Sequence, residues 1–140
     1  MKSLTECRLY AFVDTAFLQG RAPGEVARAL CDGGADLIQL RAKEAPEAEV
    51  WRLAEAILPV TQRAGIGLVI NDYPAIAREL GAEFCHLGQE DFFGAGYTQV
   101  SQLPLAAEPE KPPAGEGGGC RPRVRVGLSS ASPDQARRAI

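Results

Sequence analysis

The sequence predicts an α/β protein built on a parallel sheet. Two observations predict it: short, continuous apolar runs recur along the chain, and segments with helical spacing fall between them. Strands buried on both faces read as unbroken apolar runs, and parallel neighbours need a crossover helix. The pattern by itself leaves a doubly wound sheet and a barrel both open. No Gly-x-Gly-x-x-Gly turn follows the first strand, so a dinucleotide-binding reading has no support.

The first strand is Leu9-Tyr10-Ala11-Phe12-Val13, ending at Asp14. Pro23 opens the first helix, Val26, Ala27 and Leu30 mark its apolar face, and Gly33-Gly34 stops it. Asp36-Leu37-Ile38-Gln39-Leu40 is the second strand. Pro46 opens a second helix with Val50, Leu53, Ala54, Ile57 and Leu58 at helical spacing. Pro59 should kink its last turn or end it early, because proline lacks the backbone donor and crowds the preceding turn. Trp51 on this helix reads as packing. Strand three is Gly67-Leu68-Val69-Ile70, a short helix runs from Pro74 to Leu80, and strand four is Phe84-Cys85-His86-Leu87. A fourth helix is poorly defined. Residues 104–122 hold so much proline and glycine that a flexible surface loop is expected. Val124-Arg125-Val126-Gly127-Leu128 resumes the strands, and Ser132-Pro133-Asp134 is a good helix start.

Composition narrows the function. With 46% hydrophobic and 24% charged residues the chain is globular, and its 140 residues suit one domain. A net charge of −3 lacks the basic stripe of a nucleic-acid binder. No apolar run approaches the roughly 18 residues that span a bilayer, and Met1 to Glu6 is polar and unlike a secretory signal. Neither nucleic acid nor membrane is expected as a partner. Cys7, Cys31, Cys85 and Cys120 are scattered without a Cys-x-x-Cys pair, so reduced thiols in a cytoplasmic protein are expected.

Polar residues gather at the strand ends: Asp14, then Gln39, Arg41 and Lys43, then Asn71-Asp72, then Gln89-Glu90-Asp91, then Ser129-Ser130. In a (β/α) barrel that rim is where the loops converge on an active site. Each has a plainer reading. Gln39 could be an inward residue satisfied by a neighbour, Arg41 and Lys43 a solvated loop, Asn71-Asp72 a helix cap, and Gln89-Glu90-Asp91 a turn. His86, the one histidine, alternates with Cys85 and Leu87 and reads as structural. Together they have a chemical logic. Asp72 and Asp91 could hold Mg²⁺ and leave positions for phosphate oxygens and water. Arg41 offers phosphate a planar fork and Lys43 a mobile charge. Asn71 and Gln39 can fix polar edges of a ring or an oxygen of the leaving group. Such a set suits departure of a diphosphate.

The segments Gln39-Leu40-Arg41-Ala42-Lys43, Ile70-Asn71-Asp72, His86-Leu87-Gly88-Gln89-Glu90-Asp91 and Gly127-Leu128-Ser129 resemble, in order, the motifs of the thiamine phosphate synthase family. Leu9-Tyr10, Asp14 and Gly34-Ala35-Asp36 are similar to it as well. The resemblance implies a TIM (β/α)₈ barrel and a transferase. It would join hydroxymethylpyrimidine diphosphate to a thiazole phosphate, giving thiamine phosphate and diphosphate. By the same resemblance Gln39, Leu40, Arg41, Ala42, Lys43 and Asn71 would bind the pyrimidine diphosphate, Asp72 and Asp91 would hold Mg²⁺, and Ser129 would contact the pyrimidine near the reacting centre. Val13 stands where the family often has Thr, and Ser130-Ala131 where it often has Thr-His. The family's Thr-x-Thr-Lys segment, glycine-rich phosphate loop and last three strands are expected beyond Ile140. Residues 1–140 therefore read as one incomplete barrel domain of about the first five βα units. Coupling by these residues alone at a family-like rate is not expected, and self-association through the open barrel is. Two alternatives stay open: a thiazole tautomerase-like protein, against which the intact Gln89-Glu90-Asp91 counts, and a non-catalytic remnant that binds phosphate ligands or a partner chain.

The proline- and glycine-rich segment yields a test. Deleting most of residues 104–122 and joining Leu103 to Arg123 through a short turn should leave the melting temperature nearly unchanged, because closure depends weakly on loop length. A drop of more than about 5 °C, on the order of 1 kcal/mol in a domain of this size, would reveal a structured element there.

Overall fold

Among the described residues five strands pair in parallel in the order of the chain, without a reversal. The computed structural model describes residues 1–103 and 124–129. Within them the strands are β1 (Tyr10–Asp14), β2 (Leu37–Arg41), β3 (Gly67–Asn71), β4 (Phe84–Gly88) and β5 (Arg125–Ser129). The helices between them are α1 (Pro23–Asp32), α2 (Glu47–Ala64), α3 (Pro74–Leu80) and α4 (Gln89–Gly94). A doubly wound sheet reverses its order at a switch point. Sequential order, with the helices gathered on one face, is the barrel arrangement and decides between the two sheets the periodicity allowed. Several strands lie one residue further on than the apolar runs suggested, since their last residues are polar but still paired. The proline- and glycine-rich segment and the helix start at Ser132 lie outside the described residues.

Alternation along the strands divides the sheet. Val13, Ile38, Leu40, Leu68, Ile70, Cys85 and Leu87 face the helices and are buried there with Ala27, Ile57, Ile76 and Phe92. Fully burying a side chain such as Ile38 or Leu68 contributes roughly 1.5–3 kcal/mol. The opposite parity, including Tyr10, Phe12, Gln39, Asn71, His86 and Gly127, lines the concave face.

Helix α2 forms as its spacing predicts but does not stop at Pro59. Glu47 and Glu49 sit in its first turn, Val50, Leu53, Ala54, Ile57 and Thr61 are buried, and Gly65 ends it at φ 69°. Pro59 lies inside the helix on its exposed face. The carbonyl it leaves without an N–H partner is on the water side, so the interruption is tolerated and the expected early stop does not occur.

The entry to β1 is tied to the start of β2. Gly34, at φ 86°, turns the chain after α1 and brings Asp36 to the foot of the sheet. The Asp36 carboxylate accepts the N–H groups of Arg8 and Leu9 at 2.8 and 3.0 Å and the Lys2 ammonium at 2.6 Å. Its own N–H donates to the Leu9 carbonyl at 2.9 Å. The Lys2 hydrogen bond, then the two N–H groups, hold this carboxyl well below the usual carboxylate range.

Asp36→Asn should therefore melt several degrees lower at neutral pH. The folded pKa is depressed, so the contribution is complete above the unfolded value of about 3.9 and fades as the pH falls below it. The gap between wild type and variant should narrow in melts at pH 3 relative to pH 7. A gap of constant size would show that the charge of Asp36 contributes nothing.

Candidate active site

Because the strands are parallel and in register, their carboxyl ends deliver side chains to one rim. A cavity of about 260 Å³ opens there, lined from β1 through β5 and the first turn of α4. Gln39, Arg41, Lys43, Asn71, Asp72, Asp91 and Ser129 all line it. Leu40 and Ala42 do not; both are buried in the core on the helix side. Only their backbone groups remain to meet a ligand.

Gln39 is 2% exposed and donates from Nε2 to the Tyr10 hydroxyl oxygen at 2.6 Å. It is an inward polar residue satisfied by a neighbour, and it also lines the cavity. Burial pushes the Tyr10 hydroxyl pKa up, against the opposing effect of Gln39. Arg41 lies beside Asp14 by register, and its Nη1 donates to the Asp14 carboxylate at 2.6 Å. Burial would raise the Asp14 pKa, but the Ala16 N–H and Arg41 outweigh it and hold the carboxyl low. Asp14 thus fixes one edge of the guanidinium. Lys43 is exposed at the mouth.

Asn71 ends β3 and donates from Nδ2 to the Asp72 carboxylate at 2.6 Å. Asp72 sits at φ 65°, a left-handed conformation that non-glycine residues seldom adopt and that clusters at functional sites. Its N–H donates to the His86 carbonyl at 2.8 Å. Helix α3 has Tyr73 at its N-cap and no side-chain capping bond, so Asn71-Asp72 does not cap it. Burial raises the Asp72 pKa, and the Asp91 charge raises it further. Lys43, His86 and the Gly88 N–H act the other way. Gln89-Glu90-Asp91 forms the first turn of α4 rather than an open turn, with Gln89 buried and Asp91 exposed toward the cavity.

Two lining side chains, Phe12 and His86, escaped the sequence reading. Phe12 and Tyr10 share the concave face, their rings 5.1 Å apart, and Phe12 is half exposed at the cavity. Both were hidden in an apolar run whose parity was not assigned, and burial of Val13 supplies the missing phase. His86, which reads as structural in the sequence, is the other.

Among the described residues no group of three or more His, Cys, Asp or Glu gathers as a metal site. Two carboxylates that feel each other's charge still suit Mg²⁺, which commonly takes one or two carboxylates and completes its shell with phosphate and water. The donor set fits that ion. Facing it across the cavity, Arg41 and Lys43 can receive phosphate oxygens.

Residues 9–99 match the thiamine monophosphate synthase family. The thiamine-phosphate synthase of Herpetosiphon aurantiacus is 46% identical over 84 residues, covering 60% of this chain and 41% of that protein. The thiamine-phosphate synthase of Roseiflexus sp. is 30% identical, covering 84% of this chain and 62% of the relative. The chain thus spans less than two thirds of the length of these curated relatives. A solved structure, thiamine phosphate pyrophosphorylase from Pyrococcus furiosus, shares the fold. Its TM-score is 0.52 at 23% identity, over 64% of this chain and 46% of that one.

The Tyr10–Gln39 pair makes a stability test. Tyr10→Phe leaves the buried Gln39 amide without its acceptor and should cost about 1 kcal/mol in urea denaturation. Adding Gln39→Met removes the orphaned group, so the double variant should recover part of that loss. Strictly additive losses would mean that the two side chains do not depend on each other.

Proposed function

The chain belongs to the thiamine monophosphate synthase family, and from that premise we propose that its rim cavity is the pyrimidine diphosphate and metal half of a thiamine phosphate synthase site. The reaction is coupling of hydroxymethylpyrimidine diphosphate with a thiazole phosphate, releasing diphosphate and forming thiamine phosphate. The observation that carries this reading is the shared cavity. Arg41 and Lys43 come from β2 and the loop after it, Asp72 from the turn after β3, Asp91 from the first turn of α4, and Ser129 from β5.

On this reading each group has a task its chemistry suits. Asp72 and Asp91 hold Mg²⁺, and an ion there supplies positive charge to the departing diphosphate. Arg41, oriented by Asp14, presents N–H donors to phosphate oxygens in a fixed direction, and Lys43 follows as a mobile charge. Gln39 and Asn71 orient polar edges of the pyrimidine. Ser129 brings a hydroxyl to the reacting centre, and the peptide groups at Leu40 and Ala42 complete the contact. The substrates are small phosphorylated molecules.

No helix among the described residues is long and apolar enough to cross a membrane. Cys7, Cys31 and Cys85 are free thiols, as a reducing compartment would leave them, and we place the protein in the cytoplasm. Burial first, then the charge of Asp72, pushes the Cys85 thiol up to about 12, so it stays protonated and takes no part in the chemistry.

Calorimetry with inorganic diphosphate tests the metal assignment. Asp72→Ala and Asp91→Ala should each weaken binding about tenfold or more when Mg²⁺ is present, about 1.4 kcal/mol or above, and change little when it is absent. Equal losses with and without Mg²⁺ would rule out metal ligation by that residue.

A further inference from the structure

We infer that Gly88 is a positioning residue for the carboxylate pair, making room by its lack of a side chain for the Asp91 carboxylate to stand at the cavity it shares with Asp72. The inference rests on the reading that Asp72 and Asp91 share a divalent cation. It goes beyond that reading by naming the residue that sets where the Asp91 carboxylate lies.

Gly88 is the last residue of β4 and the N-cap of α4. Its φ of −67° and ψ of 145° are open to any L-residue, so backbone freedom does not explain glycine here. Space does. A Cβ at this position would lie 2.7 Å from Asp91 Oδ2 and 3.7 Å from Asp91 Cγ. Apart from its chain neighbours, no other atom of the described residues comes within 4 Å of that Cβ. Asp72, Gly88 and Asp91 line the same cavity.

Other crowded glycines differ in kind. A Cβ at Gly67 would strike Leu37, Met1 and Phe84, which is a packing constraint in the sheet. At Gly94, in the same short helix as Asp91, a Cβ would meet nothing within 4 Å. The atom a methyl at Gly88 would displace is the far end of an exposed side chain. The fold can absorb that displacement by rotating Asp91, but Asp91 then leaves the place from which it faces Asp72.

The test uses the full chain, Mn²⁺ as a spin-active probe for the Mg²⁺ site, and inorganic diphosphate. Gly88→Ala should lower Mn²⁺ affinity about tenfold, as loss of an outer-sphere partner does, with the metal-free melting temperature nearly unchanged. Gly94→Ala, the same substitution in the same helix, should leave Mn²⁺ affinity as it is. In an Asp91→Ala background, Gly88→Ala should be silent in both affinity and stability, because the oxygen it strikes is gone. Gly88→Ala binding Mn²⁺ within twofold of wild type would overturn the inference alone, since wild type would still have shown the metal site. A loss of stability from Gly88→Ala that persists in the Asp91→Ala background would overturn it too, by showing that the methyl meets something else. If wild type itself takes up no Mn²⁺ with diphosphate, or Asp91→Ala binds as wild type does, the metal reading falls and this inference with it.

Discussion

The parity of the parallel strands is the constraint from which the rest of the molecule follows. Successive side chains point to opposite faces, so one phase choice per strand decides which residues meet the helices and which meet the cavity. Parallel pairing then puts every carboxyl end on one rim. The register brings Asp14 beside Arg41, Asn71 beside His86 and Gly88 beside Ser129. A slip of one residue in β2 would turn Gln39 and Arg41 toward the helices and Ile38 and Leu40 toward the cavity. It would lose two fully buried aliphatic side chains and bury a charge without its partner. The apolar core thus enforces the position of the polar site, although the two share no side chains.

Within the rim, charges are arranged in pairs rather than pooled. Arg41 would be a mobile cation by itself, but Asp14 takes one of its donors, and Asp14 is in turn held by the Ala16 N–H. A guanidinium carries five N–H donors, so this tie orients it and leaves donors for a ligand. Asp72 is fixed more tightly still. Its left-handed backbone is pinned by the bond to the His86 carbonyl, and its carboxylate by Asn71. Burial and Asp91 together make ionisation of Asp72 costlier than usual. A divalent cation between the two acids would offset that cost, which is how the proposed metal reading accounts for an arrangement unfavourable by itself.

Much of this was legible in the sequence, and the parts that were not share a cause. Strand positions and polar ends could be read because buried parallel strands are unbroken apolar runs with abrupt polar stops. The parity of β1 could not, since Tyr10, Ala11, Phe12 and Val13 form one unbroken run and give no alternation, so the Phe12 ring at the cavity went unassigned. Pro59 was misjudged for a related reason. Its effect depends on whether the carbonyl it leaves unpaired faces core or water, and it faces water. Asn71-Asp72 has the composition of a helix cap, yet the left-handed turn at Asp72 carries both side chains away from the start of α3. Asp36 was visible only as part of a motif, whereas its bonds to Lys2, Arg8 and Leu9 join residues up to 34 positions apart.

Gly88 shows where reading by residue type stops. A glycine usually signals a backbone conformation that side chains resist, and Gly34 and Gly65 follow that rule. Gly88 has ordinary angles, so its reason lies in what occupies the space a methyl would take. The strand ends and the helix begins at this one residue, which lines the same cavity as both acids. Three residues later the first turn of α4 brings a second carboxylate back over the same Cα. Two acids from different elements share that cavity because the strand-to-helix junction, without a side chain, leaves a vacant surface for Asp91. The acids contribute the charge, and the geometry belongs to the junction.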